Sequence, residues 1–249
     1  MMTKIDSYRQ TLRSLDHWDP FLLRESGLPG PRGNLELAQA VAEEGDEARF
    51  RRYLAYTPDL APANSPEEFL AFCGVVGLGK LLAQGRTDLL PELRHFAGDP
   101  RWRTREAVAM ALQRWGDADM AALLAEMARW SGGSLLEQRA VAAALCEPRL
   151  LVDRDQVAKV LAILDRITAN LAGVSDRRSE DFKALRKGMA YCWSVAVAAY
   201  PEAGKESMQR WFASEDPDVR WVMRENLKKQ RLVRMDADWT AGWLERLEG

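Results

Sequence analysis

Histidine is scarce: His17 and His95 are the only two in 249 residues. Neither belongs to an HExxH or comparable spacing, so a zinc site or a histidine-activated nucleophile has little to be built from. Cysteine is almost as rare. Cys73, Cys146 and Cys192 are odd in number, far apart and without CxxC spacing, which argues against a disulfide framework and a cysteine zinc site. Each lies in an apolar helical run, where a buried, reduced thiol is expected. No Gly-x-Ser-x-Gly elbow occurs. Gly74–Lys80 lacks the spacing and preceding strand of a phosphate-binding loop. The expectation is a non-enzymatic chain without catalytic residue, metal or cofactor.

Other absences bound the fold and the setting. No run approaches the ~20 apolar residues that span a bilayer, so no membrane partner is expected. The first ten residues lack the apolar core of a signal peptide, which makes the cytoplasm the expected compartment. No stretch alternates apolar and polar residues with period two, so no sheet is expected. Neither sign of charge prevails. There are 35 Lys and Arg against 37 Asp and Glu, for a net charge of −2. Without a global positive field, any attraction for nucleic acid must come from a local patch.

What the sequence does contain is a unit of turn and helix. Asp99-Pro100 stops the preceding element, because proline cannot continue a helix and restricts the residue before it. Thr104 is placed to cap a new helix over Thr104–Trp115. Val108, Ala111, Leu112 and Trp115 then recur at i, i+3, i+4 and i+7, which is one apolar stripe. The same grammar returns at Asp216-Pro217-Asp218-Val219-Arg220, followed by Val222, Met223 and Leu227. Its reuse more than a hundred residues later points to stacked repeats. Val108, Leu112, Trp115, Val141, Leu145, Val160, Leu164 and Trp193 are the expected core.

Along the rest of the chain, helices are expected at 4–15, Leu35–Ala42 with Asn34 as cap, Asp46–Tyr56, and Phe69–Ala83 behind Ser65-Pro66. Gly74, Gly77 and Gly79 lower helix propensity in that last helix, and would let another helix approach closely. From Leu89 onward the rhythm is helix, turn, helix, closing on Trp239 and Trp243. His17–Asn34, with Pro20 and the Gly27–Gly33 run, is expected to be irregular and to pack through Trp18, Phe21, Leu22 and Leu28. The expected organisation is an N-terminal region, 1–45, packed on a single continuous repeat array, 46–249.

These residues resemble HEAT-like repeats, the helical hairpins that stack into α-solenoids. The signature is Asp-Pro, a short spacer, Val-Arg, then an Ala/Leu-rich helix, and Asp216–Arg220 with Leu227 matches it. Asp99-Pro100 with Arg105 and Leu112 matches with a two-residue insertion. Gln138 and Arg186 keep the spacing without Asp-Pro. The resemblance implies an all-α fold, a right-handed α-solenoid of stacked hairpins, and an Asp–Arg ladder through Asp99, Arg105, Asp216 and Arg220. It also implies a protein or peptide partner on the concave face.

A weaker resemblance links the chain to HEAT-like alkylpurine DNA glycosylases, which cradle duplex DNA and place Trp and Asp beside the lesion. Trp221 and Glu225 stand one turn apart, with Glu in place of the family's Asp. Duplex DNA is therefore the alternative partner, with or without base excision. The candidate partner-binding residues are Arg105, Arg139, Arg186, Lys187, Trp221, Arg224, Glu225 and Lys228. Arg220, Arg224, Lys228 and Arg231 share one helical face. Of these, Arg220 is expected to be structural, and Arg224 and Lys228 solvated.

Overall fold

A computed structural model describes residues 2–248. Its helices are α1 (Lys4–Arg13), α2 (Asp19–Glu25), α3 (Leu35–Glu44), α4 (Glu47–Leu54), α5 (Glu68–Ala83), α6 (Leu90–Phe96) and α7 (Trp102–Ala118). They continue as α8 (Met120–Trp130), α9 (Leu135–Leu145), α10 (Arg154–Ala172), α11 (Glu180–Ala199), α12 (Pro201–Phe212), α13 (Pro217–Leu227), α14 (Gln230–Met235) and α15 (Ala237–Glu248). The described residues contain no strand. The all-α expectation holds. The chain divides into two compact units, Met1–Ala118 and Asp119–Gly249.

In the first unit everything gathers around α5. All of its residues except Lys80 and Ala83 are buried, as befits a helix that is apolar on every side. It packs against α3, α4 and, most extensively, α7, while α1 rests on α3. The glycines serve close approach as expected: a Cβ at Gly77 would stand 2.3 Å from Cδ1 of Phe50. Residues 17–34 are more regular than expected, since Asp19–Glu25 is helical with Pro20 in its first turn, where a missing N–H costs nothing. The following Gly27–Gly33 segment is a fastened connection. The Gly30 N–H donates to Asn64 Oδ1 at 3.1 Å, and its carbonyl accepts from Arg103 Nη2 at 2.5 Å.

The entry to α7 corrects the capping expectation. The helix begins at Trp102, so Thr104 lies inside it, and the Thr104 hydroxyl is buried without a partner. Asp99 performs the turn instead, accepting from the Arg101 amide at 2.7 Å. Its carboxylate also holds the buried Arg101 guanidinium at 2.7 Å. A Thr at the predicted boundary misled because the real start lies two residues earlier, where the Asp of Asp-Pro reaches over the proline.

In the second unit, α9, α11 and α13 form an inner row whose members pack closely. The first helices of the hairpins, α8, α10 and α12, touch one another less. The inner row is pinned by a buried amide. Asn226 on α13 accepts from the Ser194 amide of α11 and donates to Met189 O, each at 2.8 Å. All eight residues expected in the core are buried, and all but Trp115 show no exposed surface.

Candidate functional site on the second helices

The repeat position found by spacing falls on alternate helices: Arg105 on α7, Gln138 on α9, Arg186 on α11 and Arg220 on α13. Three of these side chains close turns or chain ends through backbone carbonyls. Arg105 donates to Asp99 O at 2.6 Å, Gln138 to Gly133 O at 2.8 Å and Arg220 to Leu247 O at 3.2 Å. The expected Asp–Arg ladder is therefore rewired. Asp99 pairs with Arg101 rather than Arg105, and Asp216 pairs with Arg177 at 2.5 Å rather than with Arg220.

A ladder does exist in the second unit, built by residues outside the motif. Arg177 grips Asp216 and, at 2.8 Å, Asp218. The same guanidinium donates to Ala172 O and Val174 O, which ties the 173–179 connection to the start of α13. That grip holds the Asp216 carboxyl below its ordinary range, with two backbone amides of α13 adding to the effect. Arg186 completes the rung, with Nε 2.9 Å from Asp218 Oδ1.

Two of the candidate residues, Arg186 on α11 and Trp221 on α13, meet where these helices adjoin. Arg186 lies over the Trp221 ring, 4.0 Å from its centroid. One turn along α13, Glu225 pairs with Lys228 at 2.8 Å. Trp221 and Glu225 share a face as expected, but the ring is covered by a guanidinium and the carboxylate is held by an ammonium. Lys187 is exposed, Arg224 is half-buried, and among the described residues neither forms an ion pair. Arg139 belongs to α9, and its stem lies beside α11, 3.5 Å from where a Gly188 Cβ would stand. Arg105 belongs to α7 of the first unit, where it donates to Asp99 O.

Two residues of this surface carry a weaker sequence signal. Tyr191 is exposed on α11, one turn beyond Lys187, and Arg231 of α14 stacks on its ring at 4.6 Å while donating to its hydroxyl. Arg231 does not continue the expected basic stripe, because α13 ends at Leu227 and Arg231 sits on α14, which turns back onto α11. That contact is tertiary and has no local pattern.

Helical hairpins joined by short turns, with successive second helices packed on one another, are the architecture of a helical repeat. Residues 74–146 match the family model of HEAT repeats, from the middle of α5 to the end of α9. That match and the all-helical fold support a HEAT-like repeat family. No curated protein and no solved structure matches it. Among the described residues, no group of three or more His, Cys, Asp or Glu is placed to hold a metal ion, and no helix is long and apolar enough to cross a membrane.

Proposed function

We propose that this chain is a non-enzymatic repeat protein that holds a protein or peptide partner on the inner helices of its second unit. HEAT repeats commonly serve as interaction scaffolds, and the inner row α9–α11–α13 offers the surface. The observation that carries the reading is a pair of aromatic rings held in place by arginines: Trp221 under Arg186 and Tyr191 under Arg231. Large rings that lose little freedom on binding are the usual anchors of protein interfaces. A ring already ordered by a stacked guanidinium has less still to lose.

Affinity capture from nuclease-treated lysate tests this, comparing the parent with a Trp221→Ala/Tyr191→Ala variant of matched melting temperature. One or more proteins retained by the parent and lost from the variant is the expected result. Identical captured sets would overturn the reading. A partner that disappears on nuclease treatment would transfer the surface to the DNA alternative.

A further inference from the structure

We infer that the occupant of this inner surface is an acidic peptide segment, seated by Lys187, Arg224 and Arg231. The inference rests on the reading of the inner helices as an interaction face and names what that face recognises. Charge complementarity carries it. Residues 119–249 contain twenty Lys and Arg and twenty Asp and Glu, so the second unit has no net charge. Its charges are nevertheless segregated: between Arg220 and Arg234 there are six basic residues and one acidic.

Pairing sharpens that asymmetry. Asp218 is consumed by Arg177 and Arg186, and Glu225 by Lys228. Arg231 is held on a neutral ring and hydroxyl. Among the described residues, Lys187, Arg224 and Arg231 therefore keep no carboxylate partner. Three uncompensated cations on adjoining helices set a local positive potential that a partner's carboxylates would neutralise.

The spacing favours a peptide over a duplex. Packed helices lie about 8–10 Å apart, which an extended chain crosses in about three residues. Acidic side chains a few residues apart can therefore reach α11 and α13 together. A duplex presents a charge every ~1.7 Å along its axis and would press phosphates against the carboxylates of Asp218 and Glu225 as well. Those two lie seven residues apart on α13, roughly 10 Å along the helix and on the same face as each other. A flexible acidic peptide can turn its carboxylates away from them; a rigid duplex cannot.

Fluorescence anisotropy with the full chain tests the assignment, using labelled octaglutamate, octaglutamine and a short duplex DNA as probes. Octaglutamate should bind saturably, octaglutamine should not, and Lys187→Gln/Arg224→Gln should weaken binding by about tenfold or more. A Lys159→Gln/Arg246→Gln control, which removes the same charge elsewhere, should leave it unchanged. Absence of octaglutamate binding, or equal loss in both double variants, would overturn the inference. The partner reading would then stand or fall on the Trp221/Tyr191 comparison. Octaglutamine binding as tightly as octaglutamate would also overturn acidity as the recognised feature while leaving a peptide site. Duplex bound more tightly than octaglutamate, and lost in the Lys187/Arg224 variant, would overturn both.

Discussion

Gly79 and Ala111 bring the backbones of α5 and α7 into contact. A Cβ at Gly79 would stand 2.5 Å from Ala111 Cα and 2.6 Å from its carbonyl oxygen. Gly79→Ala gains about 1 kcal/mol of helix propensity but forces two packed helices apart, and overpacking commonly costs about 1–3 kcal/mol. The obstacle is backbone rather than a side chain that can rotate, so net destabilisation is expected. Gly242 in α15 has nothing within 4 Å of the same position. Gly242→Ala should stabilise by about 0.5–1 kcal/mol. Chemical denaturation of the two variants should give shifts of opposite sign, and a gain at both sites would mean that α5 and α7 are not in contact.

Asn226 should be the most sensitive polar residue of the second unit. It is fully buried and joins α13 to α11 through Ser194 N and Met189 O. Asn226→Ala removes both links and leaves a void, for an expected loss of about 1–3 kcal/mol in urea denaturation. Asn226→Asp should be worse, because it places a carboxylate opposite the Met189 carbonyl in a buried site. An aspartate variant as stable as the parent would show that the α11–α13 contact is open to water.

Glu44 supplies an acid-sensitive element to the first unit. Its carboxylate accepts from Arg13, at 2.6 and 2.7 Å, and from Arg9 at 2.6 Å. Those bonds, Arg13 foremost, hold its pKa down to about 2 against an ordinary 4.5. A depressed carboxylate stabilises the fold above its unfolded pKa, and that contribution fades as pH falls from about 4.5 toward 2. Arg13 is 60% exposed, so solvent screening limits the effect to about 1 kcal/mol. Glu44→Gln should lose less stability than the parent between pH 6 and pH 2.5. Parallel stability curves for the two proteins over that range would refute the assignment.

The parts of this structure legible in the sequence are those fixed by local rules. Asn34 caps α3 by accepting from the Leu37 amide at 3.1 Å, and the α5 glycines meet neighbouring helices. The repeat position holds because Arg105, Gln138, Arg186 and Arg220 all fall on second helices. The 48-residue step between Gln138 and Arg186 reflects the 19-residue α10 and the connection after it. Arg186 also sits a turn deeper in α11 than Gln138 does in α9. The partners of the surface residues were not legible. In the sequence Arg177 is one of several charges between helices and Tyr191 lies outside any periodic pattern, because both acquire their roles from helices distant in sequence.

Arg177 gives the sharpest test of how the connection at 173–179 is held. One guanidinium serves four acceptors: the carboxylates of Asp216 and Asp218 and the carbonyls of Ala172 and Val174. A planar fork can satisfy acceptors on several sides at once, whereas an ammonium concentrates its donors on one atom. Arg177→Lys keeps the charge but should still release the connection, because one Nζ cannot reach both carboxylates and both carbonyls. Losing these half-buried, charge-assisted bonds should cost about 1–3 kcal/mol. The local consequence should be larger than the global one, since opening of 173–179 does not require unfolding of α11 or α13. Limited proteolysis is the direct measurement, as Arg178 lies in the connection and offers a tryptic site. Arg177→Lys should be cleaved after Arg178 faster than the parent, while cleavage after Arg154, outside the clamp, proceeds at the parental rate. Equal cleavage after Arg178 in both proteins would mean that the charge alone, and not the four-acceptor geometry, holds the connection in place.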